Sequence, residues 1–254
     1  MGAEVCRAVK EDGELQLVAA VDPPLAGEAL DPITGLDGTE VVVSDSAEAL
    51  VNAGAEVAVD FTVAEAAVEN IRWCVENGVH IVVGTTGLTP DQVDGIRKLQ
   101  EMSGKSNVFI APNFAIGAVL MMEFAKEASK FLPDAEIIEL HHPGKKDAPS
   151  GTAMKTVEGI VSNRSQSPTS SESSELMPGA RGAEKDEVRI HSVRLPGLVA
   201  HQEVIFGGPG QTLSIRHDST DRTSFMPGVL LAIKRIAKAR GVVVGLEHLL
   251  EDDL

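Results

Sequence analysis

The sequence predicts an α/β chain in which a parallel sheet, covered on both faces, is followed by an α+β region with a mainly antiparallel sheet. Two observations predict it. Apolar runs take turns with helical periodicities along residues 1–131. Beyond residue 186, three strand-like stretches follow one another with only turns between them. Strands that alternate with helices imply parallel pairing and burial on both faces. In such sheets ligands bind beyond the carboxyl ends of the strands. The chain shows no internal repeat.

The elements follow in order. Val5, Ala8 and Val9 share one face of a short helix ending near Gly13. Leu15 to Val21 is an apolar run closed by Asp22 and two prolines, which predicts a buried strand. Val41-Val42-Val43 predicts a second, followed by a helix through Ala47 to Val51. Val57-Ala58-Val59 leads into Asp60-Phe61-Thr62 and a helix to about Asn77. Val79 to Val83 ends at Gly84-Thr85-Thr86-Gly87, and Pro90 opens the next helix at a favourable first-turn position. Val108-Phe109-Ile110 ends at Ala111-Pro112-Asn113-Phe114, before a helix of about four turns. Asp22, Asp60-Phe61-Thr62, Gly84-Thr85-Thr86 and Asn113 thus fall at strand ends.

In the second half, Ala135 to His142 reads as a strand running into a Gly/Pro-rich loop, and a helix starts near Ser150. Residues 162–175 carry seven serines and almost nothing apolar, which predicts a mobile surface loop. Residues 187–195, 198–206 and 211–217 read as an antiparallel sheet. A helix from about Ser224 to Ala239 turns Val229, Leu230, Ile233 and Ile236 toward a core.

Composition narrows the function. The chain has 254 residues, 38 acidic and 22 basic, for a net charge of −16. That acidity argues against nucleic acid and anionic membranes as partners. Aromatic residues are 3% with no Tyr, so base-stacking platforms are also unexpected. No apolar run is long enough to span a bilayer. Met1-Gly2-Ala3-Glu4 lacks the basic and apolar regions of a signal peptide. Cys6 and Cys74 read as reduced thiols, so a cytoplasmic protein is expected. A small-molecule enzyme fits these exclusions best.

The chemistry concentrates in Glu139-Leu140-His141-His142-Pro143-Gly144-Lys145-Lys146-Asp147-Ala148-Pro149-Ser150-Gly151-Thr152-Ala153. Ser150 follows a proline and precedes a helical pattern, as an N-cap does. The N–H groups of Gly151 and Thr152 then face outward, where they and the helix dipole favour a carboxylate or phosphate. Gly151 lets a ligand approach its backbone closely. A histidine near a strand end is commonly structural, and a Lys-Lys pair commonly just solvated; the joint arrangement is what points to a pocket for a small carboxylic acid with proton donors beside it. Adjacent strand residues point to opposite faces, so His141 and His142 do not chelate one ion together. Nearby lysines would also repel it, and no metal is expected.

This block resembles the signature of the 4-hydroxy-tetrahydrodipicolinate (dihydrodipicolinate) reductase family. The resemblance extends through Val59-Asp60-Phe61-Thr62, Val83-Gly84-Thr85-Thr86-Gly87, Ala111-Pro112-Asn113-Phe114-Ala115-Ile116-Gly117, Gly197 to Val204 and Ile215 to Phe225. It implies a two-domain, tetrameric enzyme of lysine and diaminopimelate biosynthesis. Such an enzyme reduces a cyclic imine, formed with loss of water, using NADH or NADPH. The implied division is a Rossmann-like nucleotide-binding domain over 1–115, a substrate-binding and oligomerisation domain over 116–222, and a C-terminal helix and tail, 223–254, returning to the first. Carried over by position, His141 would be a proton donor or acceptor and Lys145 the proton donor to the substrate, a small dicarboxylate. His142, Gly151 and Thr152 would bind its carboxylates. Asp22 would hold the adenosine ribose. Gly84, Thr85, Thr86, Ala111, Pro112, Asn113 and Phe114 would line the cofactor cleft. Asp22 is followed by Pro23-Pro24-Leu25-Ala26-Gly27, with no base nearby, so an NADH preference is expected.

The family opens with a strand and a glycine-rich turn that cradles the pyrophosphate, whereas this sequence opens at the end of that turn. Either the start is assigned at an internal Met or the chain is truncated; the first is the expectation, with roughly ten further residues encoded upstream as a strand at about 3.3 Å per residue and its turn. Two rival functions are another imine- or aldehyde-handling oxidoreductase of the same fold and a non-catalytic binding module. Activity on the condensation product of aspartate semialdehyde and pyruvate separates the first, and the proton-donating residues argue against the second.

Overall fold

The computed structural model describes residues 1–169 and 174–250. The chain divides into two compact units, 1–114 with 225–254, and 115–224. Among the described residues, no helix is long and apolar enough to cross a membrane.

The first unit opens with helix α1 (Gly2–Glu11), which buries Val5 and Val9 one turn apart. Short helices α2 (Leu30–Thr34) and α3 (Glu48–Asn52) follow. Then come strand β1 (Val57–Asp60), α4 (Ala64–Asn77), β2 (His80–Val83), α5 (Pro90–Ser103) and β3 (Val108–Ile110). Helix α4 buries Ala67, Ile71, Cys74 and Val75 and stops at Gly78, whose φ of 77° requires a residue without a Cβ penalty. Helix α5 starts at a capping box: Thr89 accepts from the Gln92 amide, and the Gln92 side chain accepts from the Thr89 N–H. The three strands are parallel and in register, Asp60 beside Val83 and Val83 beside Ile110. Their β-branched residues pack on α4 to form the core.

Two expected strands are not strands. Leu15 to Val21 is an extended segment with a single bridge, Val21 to Ser44, and Val41 to Val43 makes only the bridge Ala29 to Val42. Val43 is buried, but Val21 and Val42 are exposed. A strand exists only through a ladder with a neighbour. The four-stranded sheet ends at β1, so Leu15 to Ala20 has no strand to pair with among the described residues.

The second unit holds α6 (Ile116–Ala128), β4 (Asp134–His141), α7 (Gly151–Asn163), β5 (Ala183–Lys185), β6 (Val188–Arg194), β7 (Ala200–Gly208) and β8 (Gln211–Ser219). The sheet order is β5-β6-β4-β7-β8. The 187–195 and 198–206 stretches are not neighbours as their sequence order suggests. β4 lies between them, antiparallel to β7 but parallel to β6. Alternation on β4 turns Ala135, Ile137 and Glu139 inward, in register with Ile190 on β6 and with Val204 and Phe206 on β7. Of the serine-rich stretch expected to be mobile, residues 170–173 lie outside the described residues. Its preceding part is tied down, with the Thr169 amide donating to Asp134 Oδ1 at 2.7 Å and Ser165 Oγ to the Lys130 carbonyl at 2.5 Å.

The chain then returns to the first unit through α8 (Met226–Arg235), β9 (Val242–Val244) and α9 (Glu247–Leu250). The expected helix over 224–239 is shorter, because its two ends tighten into 3₁₀ turns, Arg222–Phe225 and Ile236–Lys238. Its buried stripe is Met226, Val229, Ala232 and Ile236, while Leu230 and Ile233 are only half-buried. β9 completes the parallel sheet beside β3.

Gly228 sits where α8 touches the chain after β3. A Cβ there would stand 2.1 Å from the Phe114 carbonyl oxygen, which is backbone and cannot turn away. Gly228→Ala is therefore expected to cost about 1–3 kcal/mol and lower the Tm by several degrees. Thermal unfolding checks it, and an unchanged Tm would contradict this packing.

Candidate active site

The second unit's site is built where β4 ends and α7 begins. His141 closes the strand, and the chain turns at once, the Lys145 amide donating to the His142 carbonyl at 3.2 Å. Ser150 caps α7, its hydroxyl accepting from the Ala153 amide at 3.1 Å. Gly151 is exposed, and a Cβ on it would meet open space. His142 is exposed, and Lys145 pairs with Asp147 at 2.9 Å. His141, His142, Lys145, Gly151 and Thr152 thus come from one strand end, one turn and one capped helix.

Beneath them lies Glu139, 0% exposed. Arg194 grips it with two parallel bonds, Nη1 to Oε2 at 2.9 Å and Nη2 to Oε1 at 2.8 Å. His141 Nδ1 lies 2.5 Å from Oε2. Burial alone would push this carboxyl up, but hydrogen bonds from His141, Arg194 and Ser192 outweigh it and hold the pKa at about 2. Arg194 Nη2 also donates to the Asp147 carbonyl at 2.6 Å, fastening the loop to the sheet. Glu139 and Arg194 were not singled out from sequence, being 55 residues apart. A signal was present, because an acidic residue at an inward position of an alternating strand demands a cationic partner.

In the first unit, Gly84-Thr85-Thr86 follows β2 and Ala111-Pro112-Asn113-Phe114 follows β3. Both stand at the carboxyl ends of parallel strands. Asp60, at the end of β1, is buried and locks the first of these segments. Its Oδ1 accepts from the Thr85 hydroxyl at 2.8 Å and the Thr62 amide at 2.9 Å, and its Oδ2 accepts from Asn70 Nδ2 at 2.6 Å. The Phe61 ring lies so close to Gly84 that a Cβ there would fall 2.1 Å from it, and the ring meets Phe114 at a centroid distance of 5.7 Å. Thr85, Ala111 and Phe114 bury their side chains, whereas Thr86 and Pro112 are exposed. Asp22 is exposed and precedes a 3₁₀ turn, its amide donating to the Ser44 carbonyl at 2.9 Å. These residues fit a dinucleotide: backbone open at the strand ends, rigidly backed, and a free carboxylate for a ribose diol.

A parallel α/β sheet with open strand ends, joined in one chain to a unit built on a mainly antiparallel sheet, is the architecture of a nicotinamide-dependent oxidoreductase. The comparisons specify it further. The family model described as dihydrodipicolinate reductase, N-terminus, matches residues 1–114, and that described as dihydrodipicolinate reductase, C-terminus, matches residues 117–250. The 4-hydroxy-tetrahydrodipicolinate reductase of Streptococcus mutans is 52% identical over 251 residues, 98% of this chain and 95% of the relative. That of Syntrophomonas wolfei is 50% identical over 254 residues, 98% and 94% of the two chains. The dipicolinate-bound dihydrodipicolinate reductase of Paenisporosarcina sp. TG-14 superposes with a TM-score of 0.86 at 43% identity, covering 97% of this chain and 94% of that one. The chain belongs to the dihydrodipicolinate reductase family.

Glu139 links the site to stability. Its folded pKa lies below the ordinary value of 4.5, so the stability it confers is fully present above that value and is lost as pH falls toward about 2. The stability difference between the wild type and Glu139→Gln, from urea unfolding, is expected to shrink across that window. A difference that stays constant with pH would contradict it.

Proposed function

We propose that this chain reduces the imine formed by dehydration of 4-hydroxy-tetrahydrodipicolinate, with His141 and Lys145 moving the protons. The observation that carries this reading is the meeting, within a dozen residues, of His141 at a strand end, Lys145 in a tight turn and the Ser150-capped start of α7. Hydride addition to a C=N bond leaves charge on nitrogen, which a positioned acid neutralises; such an acid typically contributes about 10² to 10⁴ in rate. Lys145 is that acid, and His141 exchanges the proton beside it. His142, the Gly151 N–H, the N–H and hydroxyl of Thr152 and the α7 dipole hold the two carboxylates. The dipicolinate bound in the relative from Paenisporosarcina, a planar dicarboxylate, supports this substrate class.

A bound reduced nicotinamide supplies the hydride. Toward it, Gly84, Thr85, Ala111 and Phe114 offer backbone, Thr86, Pro112 and Asn113 stand at the strand ends, and Asp22 takes the ribose hydroxyls. Asp22 favours the free diol of NADH, since a base suited to a 2′-phosphate does not follow it in sequence. We assign residues 1–115 to nucleotide binding, 116–222 to substrate binding and oligomerisation, and 223–254 to the return. The sheet face opposite α6 and α7 carries Ile138, Leu140 and Ile205 set among Glu136, His191 and Glu203, a mixed surface suited to pairing four copies. A cytoplasmic location suits such an enzyme.

Lys145→Ala is expected to lower kcat by about 10²-fold or more, and Thr152→Val to raise the substrate KM with little change in kcat. NADH oxidation with the condensation product of aspartate semialdehyde and pyruvate measures both, and normal turnover in Lys145→Ala would remove the proposed acid. Comparison of kcat/KM for the two nucleotides is expected to favour NADH; a clear NADPH advantage would overturn the role given to Asp22.

A further inference from the structure

Resting on the role proposed for His141, we infer that Glu139 is a positioning residue that dictates which ring nitrogen of His141 carries hydrogen, with Arg194 locking the carboxylate in place. An ionised carboxylate has no hydrogen to give. Arg194 occupies both Glu139 oxygens in a bidentate fork, at 2.8 and 2.9 Å, and the Ser192 hydroxyl adds a further donor. Glu139 therefore stays an acceptor, and Nδ1 of His141, 2.5 Å from Oε2, must be the protonated nitrogen. Nε2 is left as the nitrogen that gives or takes a proton. When it takes one, the new positive charge forms against a carboxylate already in position, in a site where the carboxylate has no water of its own.

The sheet explains why this geometry is rigid. Glu139 and His141 are two apart on β4, so they share a face. On the parallel neighbour β6, Ser192 pairs with Glu139 and Arg194 with His141. Arg194 thus reaches back one step to grip Glu139, while its Nη2 holds the Asp147 carbonyl. The guanidinium holds the carboxylate and the loop that carries Lys145, and the carboxylate in turn holds the imidazole. A purely structural ion pair would need the fork but not the imidazole. Of the charged and titratable groups, Glu139 contacts His141, Arg194 is its partner on β6, His142, Lys145 and Asp147 follow it in the chain, and His217 of β8 lies two strands from Glu139 behind Gln202 of β7. The buried residues of α6 and α7 add no ionisable side chain.

The test uses the full chain with NADH. Glu139→Gln preserves size and polarity but removes the charge and can present an N–H to Nδ1. The expected result is a kcat at least about tenfold lower and an altered pH profile of kcat, with NADH affinity unchanged. Wild-type kcat with an unshifted profile would overturn the inference. If the variant does not fold, ¹⁵N resonances of labelled wild-type histidines, assigned by their loss in His141→Gln, decide the matter. Neutral His141 as the Nδ1–H tautomer supports the inference, and the Nε2–H tautomer overturns it. The same His141→Gln variant separates the two levels of argument. If it turns over normally, the catalytic role of His141 falls; if it is inactive while Glu139→Gln is not, only the role of Glu139 falls.

Discussion

A carboxylate with no exposure to water remains ionised only if donors replace the water it has lost, and around Glu139 three side chains do so: Arg194, His141 and Ser192. Much of the second unit's arrangement follows from that requirement. The guanidinium must come from the strand beside β4, and β6 supplies it in parallel register. β4 is central in the sheet and separates the sequence neighbours β6 and β7. The imidazole must come from the next inward position of the same strand, which is the last residue before the chain turns.

The first unit solves a similar problem with neutral partners. Asp60 is buried at a strand end, and its oxygens take hydrogen bonds from Thr62, Asn70 and Thr85 rather than from a cation. Each donor belongs to a different segment: the loop after β1, helix α4 and the loop after β2. One carboxylate therefore stitches together the pieces that must stay fixed if a ligand is to rest on their backbone. Phe61 completes the lock by lying on Gly84 and meeting Phe114, so that Asp60-Phe61-Thr62, Gly84-Thr85 and Phe114, far apart in sequence, form one body.

Local signals were legible in the sequence, and long-range ones were not. Pro90, and Ser150 before Gly151, announce helix starts because such signals act within the first turn, and both helices start there. The strands Val57–Asp60 and Val108–Ile110 stand where their apolar runs predicted. Leu15 to Val21 carries the same kind of run and forms no ladder, because composition cannot say whether a partner is present. The short β9 was missed: three valines after a glycine are too brief a pattern, and only pairing with Val108, Phe109 and Ile110 makes them a strand. The placement of His141 and Lys145 followed from strand and turn signals. The support beneath them did not, since Arg194 reaches Glu139 across 55 residues of sequence.

Two ion pairs in this site differ in a way that suits different duties. The pair of Glu139 and Arg194 is closed to water, with side-chain exposures of 0% and 18%, and it is bidentate. Breaking it would strand a buried charge, which typically costs about 3–5 kcal/mol, so it fixes geometry. The pair of Lys145 and Asp147 is open, Asp147 being 58% exposed, and such pairs contribute about 0–1 kcal/mol. An ammonium held that loosely exchanges one carboxylate for another at little cost. In a chain of net charge −16, a dianionic substrate meets repulsion at a distance, and only cations free to change partner can reverse it locally. A lysine bound as tightly as Arg194 could not do this, and an arginine bound as loosely as Lys145 could not hold Glu139. The division of labour between the two pairs follows from their carboxylates, Glu139 being sealed from water and Asp147 open to it.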